Sequence, residues 1–337
     1  MITQKDIARK LGISPSLVSR ALCGTARDIG ASEETVRRIR EEAQRLNYAP
    51  NAAALTLRGA KSMTIGIVIK DFEDPFFGGM IGRLQELARE NGFSLLLTGC
   101  PGVEGWDADM ASLLRYQLDA LIICGSDVCA PWIRAFSKKG LPIVQIGEGK
   151  NYPGVSRVEM DEEHGMALLL DLLQSLGHQH IGFIGGGTTP HKIRMHSLKR
   201  LMVKSGLPIN SKIFVSLSAG RDTGELAMGT LLDRAGKKLP SAVIAADDSM
   251  AQGALRRLHE AGLSVPLDIS LTGIDDIPSA RLMVPSLTSL KSPIDKMVRA
   301  AFKLVVESPG GKACVLRFKP ELIKRESCAR FGGGKSK

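Results

Sequence analysis

From Met63 onward the chain alternates short apolar runs with segments of helix length, and no other feature constrains its fold as tightly. Thr64-Ile65-Gly66-Ile67-Val68-Ile69 carries no charge and is rich in β-branched residues, the pattern of a strand buried on both faces. Phe93–Leu97, Ala120–Cys124, Pro142–Ile146, Ile181–Ile184, Ala242–Ala245 and Ile269–Ile274 repeat the signal, and Met80–Glu90 is amphipathic between the first two. Such alternation predicts parallel α/β sheets with helices on both faces. The segment is long enough for two such lobes rather than one sheet.

Several classes are excluded by what the chain lacks. The N-terminus, MITQKDIARK, has no apolar stretch of the kind a secretory signal needs. No run approaches the ~20 apolar residues of a membrane span, and even Met166–Leu173 is interrupted by Asp171. The six cysteines show no C-x-x-C spacing, and Gly177-His178-Gln179-His180 reads as a helix-to-strand connection rather than a zinc site. A soluble cytoplasmic protein without metal or cofactor is expected.

Charge is unevenly placed. Residues 1–62 hold 11 basic and 6 acidic side chains, residues 63–316 hold 27 of each, and residues 317–337 hold 7 and 2. A neutral body with two positive ends is what an appended nucleic-acid module produces.

The basic N-terminal segment has helix punctuation. Thr3-Gln4-Lys5-Asp6 fits a capping box, Ile7, Ala8 and Leu11 form an apolar stripe, and Gly12 is placed to stop the helix. Ser14-Pro15 restarts it at once. Leu17, Val18, Ala21 and Leu22 turn inward on this second helix, leaving Ser16, Ser19 and Arg20 outside. Two short helices joined by a Gly-containing turn make a helix-turn-helix, whose second helix enters the major groove, where an arginine grips guanine O6 and N7. Spacing alone equally allows a helical hairpin with a solvated polar face. A third helix is expected from Ser32, with Val36, Ile39, Ala43 and Leu46 inward and Arg37, Arg38, Arg40 and Arg45 outward; Cys23–Ala31 is a loop.

Lys5-Asp6-Ile7-Ala8, Ser14 to Ser19, Ser32-Glu33-Glu34-Thr35 and Asn47-Tyr48-Ala49-Pro50-Asn51-Ala52 resemble, in order and nearly in spacing, the headpiece of the lactose-repressor (LacI/GalR) family. The loop after Leu22 is a few residues longer than in most relatives. The resemblance implies DNA contacts from Thr3, Ser14, Pro15, Ser16, Ser19, Arg20, Asn51, Ala54 and Leu57. It also implies that Ala52–Leu57 is a hinge helix formed on operator DNA, with Leu57 as the wedge entering the minor groove. A helix so short is marginal in water, so ordering on binding is physically reasonable. Leu55 stands where many relatives carry a basic residue.

Further along, polar residues just past the strand ends mark where ligands of such sheets bind: Asp71, Asp247-Asp248 and Asp275-Asp276, with Arg194 on the helical segment after Gly185-Gly186-Gly187. These acceptors with one arginine suit a polyhydroxylated or carboxylated small molecule; as single residues, the aspartates equally suit helix caps. Asp71-Phe72-Glu73-Asp74-Pro75-Phe76-Phe77, Gly177–Ile184, Ala246–Ala254, Gly273-Ile274-Asp275-Asp276 and Pro285–Leu290 resemble signatures of the same family. Together they imply an N-terminal all-α helix-turn-helix headpiece plus hinge helix, then an α/β periplasmic-binding-protein-like core of two lobes with parallel sheets. The expected divisions are 1–49 headpiece, 50–62 hinge and linker, and 63–330 core, with a disordered tail at 331–337. Lobe 1 takes about 63–157 and 288–315, lobe 2 about 158–287 and 316–330. Asp71, Phe76, Arg194, Asp247, Asp248 and Asp275 are the implied effector contacts. Asp247 replaces the usual Asn, which exchanges a donor-acceptor for a group that only accepts. No aromatic stands near Ser218-Ala219-Gly220, and Met195-His196 departs from the family's glycine-aromatic pair.

Enzymatic readings find little support. No G-x-x-x-x-G-K-[ST] and no G-x-S-x-G occurs, and neighbouring side chains such as Asp247 and Asp248 diverge at a helix start, poorly placed as an acid–base pair. The expected protein is a regulator, in the sense of a repressor, acting as a homodimer on palindromic operator DNA under a sugar-like effector. The alternative is a small-molecule binding protein or sugar-processing enzyme without operator binding. Whether the effector induces or corepresses is not encoded in these motifs.

Overall fold

The computed structural model describes residues 2–23, 26–48, 61–99, 106–126, 130–217, 223–307 and 312–332. They form two compact units, 1–62 and 63–337.

In the first unit, α1 (Gln4–Leu11) opens on the expected box: the Thr3 backbone N–H and hydroxyl donate to Asp6 at 2.9 and 2.6 Å. Gly12 closes it at φ +66°, left-handed backbone that glycine adopts without a Cβ penalty, and the Ile13 N–H returns to the Ala8 carbonyl at 3.0 Å. In α2 (Pro15–Cys23) the first turn is capped by Ser14, whose Oγ accepts from the Leu17 N–H at 3.2 Å. Ser32 caps α3 (Glu33–Arg45) in the same way through the Thr35 N–H. Ile7, Ala8, Val18, Ala21, Ile39 and Ala43 are buried together, and a Lys10–Glu42 pair at 3.2 Å braces α1 against α3. The segment read as a plain loop contains a 3-10 turn, Ala26–Ile29, and buries Ala26 in this core.

The second unit holds two six-stranded sheets. The first runs β11-β5-β4-β3-β1-β2, with β1 Thr64–Ile69, β2 Ser94–Gly99, β3 Ala120–Cys124, β4 Ile143–Ile146, β5 Val155–Met160 and β11 Val315–Phe318. Every pairing in it is parallel. The second runs β12-β10-β9-β8-β6-β7, with β6 Ile181–Gly185, β7 Phe214–Ser216, β8 Ala242–Ala245, β9 Ser270–Asp275, β10 Thr288–Lys291 and β12 Glu321–Ile323. Only β12 is antiparallel to its neighbour.

Helices cover the sheets. They are α4 (Pro75–Glu90), α5 (Trp106–Leu114), α6 (Ala130–Ser137), α7 (Glu162–Ser175), α8 (Thr189–Lys204), α9 (Thr223–Ala235), α10 (Asp248–Glu260) and α11 (Ile294–Val306). The strands that read as apolar runs are buried because helices lie against them; Ile65, Ile67, Ile69, Phe183, Val243 and Ile244 all belong to one hydrophobic cluster. Among the described residues, no helix is long and apolar enough to cross a membrane.

The chain crosses between lobes three times, each a few residues later than expected. β5 pairs wholly in the first sheet up to Met160. β10, expected in lobe 1, pairs with β9 in the second sheet, and α11 after it packs on β3, β4 and β5. β11 lies in the first sheet and β12 in the second. A buried run such as Leu287–Leu290 fits either sheet equally, and only its partner decides. Phe331, expected in the tail, packs on this unit: its N–H donates to the Leu176 carbonyl at 2.9 Å, and its ring lies 5.9 Å from that of His178.

Candidate functional site

Between the two lobes lies a cavity of about 450 Å³. Its walls come from strand ends, where the backbone turns from sheet to helix. From the first lobe, Lys70, Asp71, Glu73, Asp74, Phe76, Ser126 and Glu148 are among the residues that line it, and from the second Thr188, His191, Arg194, Asp247 and Asp275; Glu162 and Ser292, beside two crossings, line it too. Phe76 stands edge-on to Phe77, ring centroids 5.3 Å apart.

Arg194 is buried and forms a two-pronged pair with Glu162: Nε donates to Oε2 at 2.7 Å and Nη2 to Oε1 at 2.8 Å. Its Nη1 donates to the Ala246 carbonyl at 2.6 Å. A guanidinium so held has fixed direction as well as charge. Asp247 works twice. It caps α10, accepting from the Met250 N–H at 2.6 Å, and its other oxygen meets His191 Nε2 at 3.0 Å. His191 Nδ1 accepts the Gly186 N–H at 2.8 Å, so Nε2 carries the proton that faces Asp247. Burial alone raises Asp247, but the hydrogen bond from His191, with that of the Met250 N–H and the nearby Arg194, outweighs it and holds the carboxyl below its usual range.

Asp275 sits at the end of β9 with φ +108°, followed by Asp276 at +52°. Such backbone costs of order 1–3 kcal/mol per residue and persists where neighbours over-determine it. Here the Ser292 hydroxyl donates to Asp275 Oδ1 at 2.8 Å, the Asp276 N–H donates to Ser289, and Arg325 holds the Asp276 carboxylate at 2.6 Å. Burial, with Asp247 and Asp74 opposing the help of Arg194, pushes Asp275 up to about 7. Burial and then the Glu162 carboxylate push Glu148 up to about 8.

Asp248, expected beside Asp247 as an effector contact, stands apart from the cavity. It is fully buried, accepting from Ser289 Oγ at 2.6 Å and the Ile277 N–H at 2.9 Å, and is not among the cavity-lining residues. It braces β9 and β10 from behind. Gly273 makes room for it: a Cβ there would lie 2.1 Å from Asp248 Oδ1. Asp71, Phe76, Arg194, Asp247 and Asp275 do come together in the cavity.

Sequence reasoning missed Glu148 and Glu162. Glu148 stands just past β4, and the strand-end rule that picked out Asp71 would have found it. Glu162 carried no such signal, since Asp161-Glu162-Glu163 reads as an ordinary acidic helix start.

On the other unit, Thr3, Ser14, Pro15, Ser16 and Arg20 are exposed and Ser19 is half-buried. The Thr3 and Ser14 hydroxyls are engaged in capping, while Ser16 and Arg20 share the outer face of α2. Of the outward arginines on α3, Arg45 is taken by Glu42 through two bonds of 2.9 Å. Asn51, Ala54 and Leu57 lie outside the described residues.

The buried acids of the second unit make a pH prediction. Glu148 and Asp275, with Asp248 pushed up to about 8 by burial, bind protons more tightly folded than unfolded. The penalty for ionising them is absent below about pH 4 and grows as pH rises through 7 to 8, so stability falls with rising pH over that window. The ligand-free protein should melt at a higher temperature at pH 6 than at pH 8.5, and Glu148→Gln with Asp275→Asn should flatten the difference. A melting temperature that rises towards pH 8.5 would contradict the burial of these groups.

Comparison with known proteins places this geometry. Residues 170–328 match the family described as periplasmic binding protein-like domain. The chain is 30% identical to the HTH-type transcriptional regulator GalS of Salmonella typhimurium over 98% of its own length and 97% of that protein. It is 28% identical to the HTH-type transcriptional repressor PurR of Actinobacillus pleuropneumoniae, covering 97% and 98%. Among solved structures it resembles the transcriptional regulator CelR–cellobiose complex, with TM-score 0.73 and 25% identity over 97% of this chain and all of that one. It shares its fold with the lac repressor dimer bound to operator and an anti-inducer, with TM-score 0.81 and 23% identity over 97% and 99%.

Proposed function

The chain belongs to the LacI/GalR family of helix-turn-helix transcriptional regulators, and from that premise we propose that it is a repressor binding palindromic operator DNA as a homodimer, released or engaged by a small sugar-like effector in the inter-lobe cavity. The observation that carries this reading is the presence on one chain of a capped helix-turn-helix exposing Ser16 and Arg20 and a two-lobed unit enclosing a polar cavity. Residues 1–49 serve as headpiece, 50–62 as hinge and 63–330 as core, with Leu57 as the minor-groove wedge. A binding protein or enzyme without operator affinity is not favoured, since the full-length relatives are regulators.

Coupling follows from the three crossings. An effector touching both Glu148 of the first lobe and Asp275 of the second binds best when the lobes approach, so it shifts the population towards the closed core. The sign of the response depends on which core state holds paired headpieces at the operator spacing, and DNA and effector affinities must change by the same factor.

Fluorescence polarisation on palindromes selected from a random pool tests the reading. Arg20→Ala should weaken the selected site by about 5- to 150-fold, the ~1–3 kcal/mol of one bidentate guanine contact, while affinity for unrelated DNA changes little. Selection that yields no palindrome, or an Arg20→Ala protein with unchanged discrimination, would overturn the headpiece assignment.

A further inference from the structure

We propose that the cavity is built for an amine-bearing polyol, a ligand of carbohydrate size carrying an ammonium group, rather than a neutral sugar, an acidic sugar or a phosphate ester. The inference rests on the reading of the cavity as the effector site and specifies the chemistry of what enters it.

The argument is one of charge and of which groups are already engaged. Seven carboxylates line the cavity, against the side chains of Lys70, Arg194 and His191. The excess is local, because residues 63–316 as a whole are neutral. Arg194 offers an anion no open fork: Nε and Nη2 are committed to Glu162 and Nη1 donates to the Ala246 carbonyl. His191 turns its proton to Asp247. A phosphate or carboxylate entering here would meet more carboxylate acceptors than cationic donors, and like charges in a desolvated site are strongly unfavourable.

A neutral sugar satisfies part of the requirement, since hydroxyls donate to carboxylates, but it leaves the buried charge uncompensated when water is expelled. Glu148 and Asp275 carry that burden. They approach from opposite lobes, and the charged groups facing them are Glu162, Glu159 and Arg194 for the first and Arg194, Asp247 and Asp74 for the second. Burial raises both carboxyls, and in both sets the neighbouring acids outnumber the single arginine that opposes it. An ammonium between them supplies three N–H donors and one positive charge, drawing the two lobes onto one group. Asp247 adds a further acceptor on the same wall. Phe76 offers an apolar face for the carbon skeleton.

The test uses the full chain and matched probes: glucosamine, galactosamine and mannosamine, their parent hexoses, their N-acetyl derivatives and the corresponding uronates. N-acetylation keeps the ring and removes the charge. Binding is read by calorimetry and thermal shift, and operator affinity is read separately by polarisation. At least one free amine should bind tenfold or more tightly than its parent hexose, N-acetyl derivative and uronate. Glu148→Gln and Asp275→Asn should each weaken that amine by about tenfold and erase its preference over the parent. A hexose, N-acetyl derivative or uronate that binds as well as the amine overturns the proposal, and so does a panel in which no amine binds. An amine that binds without altering operator affinity would instead contradict effector control and leave the ligand class standing.

Discussion

Raising the salt concentration from 50 to 200 mM is expected to weaken operator binding by about three to five orders of magnitude, the loss that accompanies some six to ten phosphate contacts. The expectation comes from where the charge lies. Residues 1–62 carry 11 basic against 6 acidic side chains, while the 27 of each sign in residues 63–316 cancel. Each neutralised phosphate releases condensed counterions, so the logarithm of the binding constant should fall linearly with the logarithm of salt. The slope also discriminates among arginines. Arg37, Arg38 and Arg40 are exposed on α3, whereas Arg45 is held by Glu42. Replacing a contacting arginine with alanine should make the slope about one unit shallower, and replacing Arg45 should leave it nearly unchanged. A slope of one or two for the intact protein would show that the basic N-terminal unit does not track the phosphate backbone.

Arg194→Met is expected to destabilise the protein by about 3–5 kcal/mol, the cost of leaving one member of a buried ion pair without its partner. The side chains of Arg194 and Glu162 are only 7% and 5% exposed, so water cannot replace either bond. Glu162→Gln should destabilise in the same direction, because the guanidinium would then lack its counter-charge. Combining the two should restore most of the loss, since both charges of the pair are then removed together. Urea denaturation of the wild type, the singles and the double measures the coupling as a closed cycle. A double variant as unstable as the sum of the singles would show that the two side chains act independently. The restored double variant should nevertheless respond poorly to effector, because the fixed arginine that orients the second-lobe wall is gone.

Much of the architecture was legible from local patterns. β1, β3, β4, β6, β8 and β9 read correctly because each is a short apolar run buried on both faces, and β2 because its leucine run is apolar although only half-buried. Five strands did not: β5, β7, β10, β11 and β12 are short, mixed or at an edge. β5 places Arg157 and Glu159 in a buried strand, which a hydrophobicity pattern rejects. They are tolerated because Glu159 is shared between Arg157 and Arg317 at 3.1 Å each, and Arg317 stands opposite Glu159 in the β5–β11 register. The compensating charge comes from 158 residues away along the chain. The cavity was similarly half legible: strand-end position marked Asp71, Asp247 and Asp275, but it could not separate Asp247, which faces the cavity, from its neighbour Asp248, which faces the core.

What the sequence by itself determined is whatever acts within about one helical turn or one strand: the Thr3–Asp6 box, the Gly12 stop, the Ser14 and Ser32 caps, the alternation of buried strand with helix, and the division of charge into a basic head and a neutral body. These depend on bonds and side-chain periodicity between residues only a few positions apart. Only the tertiary structure decided which sheet receives β10, which carboxylates share the cavity, and that Arg194 is held by Glu162. Those outcomes turn on pairing and burial between segments distant in sequence, as when Ser289 reaches Asp248 and Ser292 reaches Asp275. A carboxylate's role then follows from the dielectric and the donors that the fold brings to it, and neither is written in the residues beside it.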